Sequence, residues 1–195
     1  EEALNECMKN YGGFDHNIQT LRIITLLENK YYNFRGLNLT FETLDGLIKH
    51  NGPIYNSKNF DNILGKNFFK NKILLKKSPS LEAQISSISD DIAYNSHDLE
   101  DGLKANLFLI NDLMNIPILS DIVKKHQKKI TNTNKELIIR QIVREIINEM
   151  VKDIIINTKK NLKKNKVKSI NDVYNFKNKI VCFSKKFILF DLAIK

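Results

Sequence analysis

A line of polar side chains in the middle of the chain is the first feature whose residue types and spacing could do chemistry. Asp90, Tyr94 and Asp98 follow one another at intervals of four residues, a spacing that aligns side chains along one face of a helix. Carboxylates held on one line repel each other, and a bound cation or a ligand with hydrogen-bond donors would relieve that repulsion. Carboxylate oxygens suit Mg²⁺ and Mn²⁺. A solvated helix face has the same pattern, and the spacing by itself favours that simpler interpretation.

Two further side chains could act on a charged substrate. His16 stands at a predicted helix start, and a histidine can exchange protons or donate to a phosphate near neutral pH. Lys49 comes at a predicted helix end, where a cation either complements the helix dipole or contacts a phosphate. Both interpretations stay open for each residue. The pair His97-Asp98 is not interpreted as a metal-binding dyad, because neighbouring residues on a helix diverge by about 100°.

Helices must position these residues, because 7 glycines and 3 prolines are too few for a fold built from many tight turns. The apolar spacing predicts an all-α fold with helices over 1–10, 14–29, 41–50, 81–108, 135–165 and 169–178. Thr40 and Ser80 are predicted N-caps. A short apolar element within 107–120 is predicted to end at Pro117. Residues 54–78 are predicted to be irregular with a short helix, and residues 179–195 to be helix or strand.

The predicted helix over 81–108 has two distinct faces. Its apolar face contains Leu81, Ile85, Ile88, Ile92, Leu99 and Leu103. Its opposite face contains Asp90, Tyr94, His97, Asp98 and Asp101. We therefore expect the first set to be buried and the second to face solvent or a ligand.

The composition bounds the class of protein. The chain has 195 residues, 42% hydrophobic and 27% charged, which indicates one globular domain. No apolar run approaches the ~20 residues that cross a bilayer, so no membrane association is expected. Two cysteines, Cys7 and Cys182, cannot form a disulfide framework, which favours a reducing, cytoplasmic location.

The net charge of +9 suggests nucleic acid as a partner. Only four of the basic residues are arginines, and the chain lacks the interleaved aromatic and arginine pattern of a base-stacking surface. Lys, Asn and Ile share A/T-rich codons, so base composition accounts for much of the charge. A basic helical module that binds single-stranded nucleic acid without chemistry remains an alternative.

Three stretches go beyond a generic helical pattern. They are residues 12–22 (GGFDHNIQTLR), residues 34–40 with 46–52 (FRGLNLT and GLIKHNG), and residues 80–85 running into 89–102 (SLEAQI and SDDIAYNSHDLEDG). In order and wording they resemble the deoxyguanosine triphosphate triphosphohydrolase family, a branch of the HD-domain metal phosphohydrolases. The resemblance is close over about 1–110 and weaker over 140–162 and 180–184. Within the single domain it implies a core over 1–110 that carries the substrate and metal face, and a C-terminal helical part over 111–195.

The resemblance implies a helical HD-domain fold and removal of the whole triphosphate from a deoxynucleoside triphosphate such as dGTP. In that family a His, a His-Asp dyad and a later Asp hold a divalent metal, Mg²⁺ or Mn²⁺, and Asp90 matches the later Asp. By the same resemblance, Tyr94 and Asp98 face the substrate sugar, and His16 and Lys49 lie near its phosphates. Glu1 matches an acidic residue that orients a catalytic His.

The sequence also departs from the family pattern. The first His, the His-Asp dyad and the catalytic His would all precede Glu1, so the chain is expected to be the C-terminal part of an HD domain and inactive alone. The resemblance further implies a homo-oligomer. A different HD-domain phosphohydrolase, acting on nucleoside monophosphates or signalling nucleotides, remains an alternative.

Overall fold

Helices form every regular element in the part of the chain that the structure describes. A computed structural model describes residues 1–55, 60, 74–131 and 133–194, and these residues contain no strand. The predicted all-α class is therefore confirmed. The α-helices are α1 (Glu2–Cys7), α2 (His16–Arg22), α3 (Phe41–Ile48), α4 (Leu81–Lys104), α5 (Pro117–Gln127), α6 (Lys135–Lys164), α7 (Ile170–Asn175) and α8 (Lys185–Ile194).

Local capping signals set most of the helix starts. The Asp15 side chain accepts a hydrogen bond from Ile18 N at the start of α2, at 3.0 Å. The predicted caps Thr40 and Ser80 accept from the third backbone N–H after them, at 3.4 and 3.2 Å. Such side chains replace the intrahelical acceptor that the first N–H groups of a helix lack. Both predicted caps are confirmed.

The predicted helix over 14–29 is built from two kinds of turn. α2 continues into a π-helix, Ile23–Leu27. In this wider turn the carbonyl of Ile24 accepts from Leu37 N at 2.7 Å, so the loop after the helix folds back onto it. Gly36 makes this approach possible, because a Cβ at that position would lie 2.5 Å from the carbonyl oxygens of Ile24 and Thr25.

Two predicted boundaries are wrong. Pro117 begins α5 instead of ending an element, because proline suits the first helical position, where no intrahelical N–H bond is needed. α4 ends at Lys104, short of the predicted residue 108, and Asn106 then adopts a left-handed φ of 55° that breaks the helix. Most of the predicted irregular segment 54–78 lies outside the described residues.

The chain divides into two compact units. The first unit contains residues 1–87 and 168–179, and the second contains residues 88–167 and 180–195. The first unit has a core of Ile18, Leu21, Leu44, Ile48 and Phe60. The division predicted at residue 110 stays a prediction.

α6 forms the centre of the second unit. Its buried side chains are Ile139, Ile142, Val143, Ile146, Met150 and Ile154. They share the core with buried residues of α5, among them Leu119, Ile122 and Val123. Burying apolar side chains of this size contributes roughly 1.5–3 kcal/mol each, which makes α6 the main stabilising element of the unit.

Polar side chains of α6 also hold the irregular segment that precedes α8. Asn161 and Asn157 donate to the carbonyls of Ile180 and Cys182, both at 2.9 Å, and Asp153 accepts from Ser184 N at 2.8 Å. Residues 179–184 are neither helix nor strand, and α8 begins directly after them. This polar ladder therefore sets where α8 starts.

The two predicted faces of α4 are confirmed in large part. Ile92, Leu99 and Leu103 are buried, whereas Ile85 is 49% exposed. The prediction for Ile85 is wrong because α3 packs on another side of the first turns, where a Cβ added at Gly46 would lie 3.1 Å from Ala83.

No helix in the described ranges has both the length and the hydropathy of a membrane span.

Candidate functional site

The polar line of α4 lies on the surface of the second unit. Asp90, Tyr94 and Asp98 are all exposed, and the Tyr94 side chain is 68% exposed. They occupy the face opposite the buried Ile92 and Leu99. The amphipathic pattern of the sequence therefore positions all three on one accessible surface.

A hollow of about 390 Å³ adjoins this face. Its lining residues are Asp90, Asp91, Tyr94, Asn95, Asp98 and Ile194. We call it the α4 hollow. Three carboxylates and a phenol around one opening can accept hydrogen bonds from sugar hydroxyls or share a cation, whereas they would repel an unaccompanied phosphate.

The described residues do not complete a metal site around Asp90. Within the described part of the chain, the group of three possible ligands whose atoms lie within 4.8 Å of one another is Glu1, Asp15 and His16. Asp90 is not part of that group and can supply one carboxylate ligand. A single carboxylate does not fill the octahedral coordination that Mg²⁺ demands.

Glu1 and His16 are brought together in the first unit. His16 Nδ1 lies 2.7 Å from Glu1 Oε2, and His16 N donates to Glu1 Oε1 at 3.1 Å. The hydrogen bond from the His16 backbone, followed by that from its imidazole, lowers the pKa of the Glu1 carboxyl. In this arrangement Glu1 fixes the imidazole of His16, and its predicted role toward another histidine stays a prediction.

Lys49 is buried, so its side chain is not openly accessible to a phosphate. Its side chain is 1% exposed, and Nζ lies 2.7 Å from Asp45 Oδ1. That ion pair is not aligned as a hydrogen bond, and neither atom has a hydrogen-bond partner among the described residues. Burial raises the pKa of Asp45, although Lys49 opposes the shift. The ring of Tyr174 lies 5.8 Å from the same Nζ. Contact of Lys49 with phosphate would require this pair to open.

The predicted site residues thus fall into two groups. Glu1, His16 and Lys49 belong to the first unit, and Asp90, Tyr94 and Asp98 belong to the second. Their predicted roles stay predictions.

Sequence analysis did not identify two residues that lie next to the candidate site residues: Asp45, which pairs with Lys49, and Asn95, which lines the α4 hollow. Asp45 carried a usable signal, since an acid four residues before a lysine predicts a helical ion pair. Asn95, a buried polar residue within the apolar side of α4, carried only the weaker signal of an interrupted stripe.

The described residues define an all-helical protein with an exposed acidic surface on α4, and sequence comparison shows what the chain is similar to. No protein-family model matches the chain. It is 57% identical over 195 residues to a deoxyguanosinetriphosphate triphosphohydrolase-like protein of Pelagibacter ubique (strain HTCC1062), a match that covers 100% of this chain and 53% of that protein.

Proteins with the same name in other bacteria match less closely. The identity is 42% over 205 residues for Bartonella tribocorum (strain CIP 105476 / IBS 506), covering 100% of this chain and 50% of that protein. It is 43% over 186 residues for Rickettsia typhi (strain ATCC VR-144 / Wilmington), covering 95% and 48%. The chain spans about half the length of these curated relatives. The whole chain is thus similar to deoxyguanosinetriphosphate triphosphohydrolase-like proteins, which confirms the resemblance to that family carried by residues 12–22, 34–52 and 80–102.

Proposed function

We propose that the whole protein is a metal-dependent deoxynucleoside triphosphate triphosphohydrolase. Water and dGTP would give deoxyguanosine and tripolyphosphate. The similarity of all 195 residues to proteins named for this activity carries the proposal. The exposed line of Asp90, Tyr94 and Asp98 supports it, because a nucleotide needs an accessible surface for its sugar.

The proposed roles follow from chemistry and position. Asp90 supplies one ligand to Mg²⁺ or Mn²⁺, which when bound polarises a phosphate and makes a bound water more acidic. Tyr94 and Asp98 lie one and two turns further along α4. The Asp98 carboxylate would accept a hydrogen bond from the deoxyribose hydroxyl, and the Tyr94 hydroxyl could donate to it or accept from it. One helix thereby fixes the spacing between the metal ligand and the sugar contacts.

The resemblance assigns phosphate contacts to two residues that lie in the first unit. His16, held by Glu1 at 2.7 Å, would donate a hydrogen bond to a phosphate oxygen. Lys49 offsets phosphate charge once it leaves Asp45.

Replacement of the metal ligand tests the proposal. Asp90→Ala in the whole protein is expected to lower kcat/KM for Mn²⁺-dependent hydrolysis of dGTP by about three orders of magnitude, because several kcal/mol of charge stabilisation are lost. Tripolyphosphate release measures the activity. Asp101→Ala, a change at another exposed acid of α4, should leave it unchanged.

The products and partners separate the alternatives. Release of orthophosphate or pyrophosphate instead of tripolyphosphate would indicate a different HD-domain phosphohydrolase. Full activity of Asp90→Ala would contradict the ligand assignment. Salt-sensitive binding to single strands, without turnover and without any effect of Asp90, would favour the basic nucleic-acid-binding module.

A further inference from the structure

A partly buried hydrogen bond links α8 to the residue that follows Tyr94 on α4. Asn95 Nδ2 donates to Asp191 Oδ1 at 2.7 Å, and the Asn95 residue is only 6% exposed. Asn95 lies on α4 directly after Tyr94, and Asp191 lies on α8. Both residues belong to the second unit. A hydrogen bond to a charged acceptor is among the stronger ones, and leaving a buried amide without a partner is costly.

Asp191 is an acidic exception in an apolar helix. α8 is apolar along nearly all of its sequence, and Phe187 and Phe190 bury its inner side. Asp191 is the acidic residue of this helix, and its hydrogen bond to Asn95 is a contact between α8 and α4.

α8 also forms part of the wall of the α4 hollow. Ile194, one turn after Asp191 on α8, lines the α4 hollow together with Tyr94 and Asp98. The ladder from α6 fixes where α8 begins, since Asp153 accepts from Ser184 N. The bond from Asn95 then fixes the far end of α8 against α4. Two anchors at opposite ends of a short helix determine where its last turn lies.

We propose that Asp191 is a positioning residue of the nucleotide site. Through Asn95 it holds α8 so that Ile194 closes one side of the α4 hollow and the sugar of the substrate rests against Tyr94 and Asp98. The identity of the ligand in this inference rests on the proposed function. The positioning of α8 by the bond between Asn95 and Asp191 rests on the geometry alone.

An exchange of the two partners tests the proposal in the whole protein. Asn95→Asp places two carboxylates against each other, and KM for dGTP is expected to rise about tenfold or more. Asp191→Asn keeps an acceptor for Asn95 and should change KM less than about threefold. The double variant, Asn95→Asp with Asp191→Asn, restores a donor facing a carboxylate and should return KM to within about threefold of the wild type.

A matched control and the division between KM and kcat exclude a merely structural role. Asn148→Asp adds the same charge at an exposed position of α6 and should leave KM unchanged. A pair that only stabilised the fold would reduce the amount of active protein, which lowers apparent kcat without raising KM. An unchanged KM in Asn95→Asp, or no recovery in the double variant, would overturn the proposal. If Asn95→Asp does not fold, the KM of Asp191→Ala decides, with a rise supporting the proposal.

Hydrogen exchange gives a readout that does not need turnover. The backbone amides of residues 90–98 should exchange faster in Asn95→Asp and return to the wild-type rate in the double variant. If the wild-type protein fails to hydrolyse dGTP, the proposed function fails, and this exchange pattern still decides the inference. Equal exchange in all variants would overturn it.

Discussion

His126 and Glu145 form the most enclosed titratable pair of the second unit. His126 Nε2 lies 2.6 Å from Glu145 Oε1, and Gln141 donates to the same oxygen at 3.3 Å. Burial by itself would raise the pKa of Glu145, but the hydrogen bonds from His126 and Gln141 outweigh it and the pKa is lowered. A carboxyl with a lowered folded-state pKa stabilises the fold above its unfolded pKa of about 4.3. That contribution is lost as the pH falls through the folded-state pKa.

The pair therefore gives a pH-dependent stability prediction. Glu145→Gln should lower the free energy of unfolding by about 1 kcal/mol at pH 7 and by less at pH 3, where the wild-type carboxyl is becoming protonated. Thermal unfolding at the two pH values measures the difference. Glu149→Gln is the control, since Glu149 pairs with exposed Lys152 on the same helix and should cost little at either pH. Equal losses at both pH values would contradict the assigned ionisation.

At the scale of elements, hydrogen bonds from side chains of α6 to the segment before α8 stabilise this part of the second unit. Side chains four positions apart lie on one face of a helix, about 6 Å from one to the next. Polar residues at 153, 157 and 161 of α6 contact residues 184, 182 and 180. Each contact satisfies a backbone group of the irregular segment, which explains how the segment is held without a partner strand.

Loss of one member of the ladder should be measurable. Asn157→Ala leaves the carbonyl of Cys182 without its 2.9 Å donor, and the expected loss is about 2 kcal/mol in the free energy of unfolding. That corresponds to roughly 4–8 °C in Tm for a chain of this size. Asn148→Ala, on the exposed side of α6, should change the free energy by less than about 0.5 kcal/mol. Similar losses for both variants would show that helix propensity, and not the ladder, is responsible.

These elements also show what the sequence could predict. Caps such as Thr40 and Ser80 are local, so residue type and spacing were enough to locate them. Pro117 was misassigned because proline both ends and begins helices, and the choice depends on what packs afterwards. Ile85 and the segment 180–183 depend on contacts between distant parts of the chain. The bond from Asn95 to Asp191 joins residues 96 positions apart, and no periodicity encodes such a pair.

At the scale of the whole molecule, the shortage of metal ligands leads to a prediction about the 195 residues themselves. Asp90 is the one family ligand that the resemblance places in this sequence. We therefore expect the purified chain 1–195 to release no tripolyphosphate from dGTP with Mn²⁺. The same chain should still show the circular dichroism of an all-α protein. Metal-dependent release by this chain alone would contradict the prediction.

The interleaving of the two units has a consequence for biosynthesis. The chain passes from one unit to the other after residues 87, 167 and 179. A ribosome delivers residues in order, so the first unit lacks α7 until nearly the entire second unit has been made. The contacts between residues 1–87 and residues 168–179 can therefore form only after most of the second unit has been synthesised. Residues 1–87 must wait in an incomplete state during translation, with the surface that later contacts residues 168–179 still uncovered.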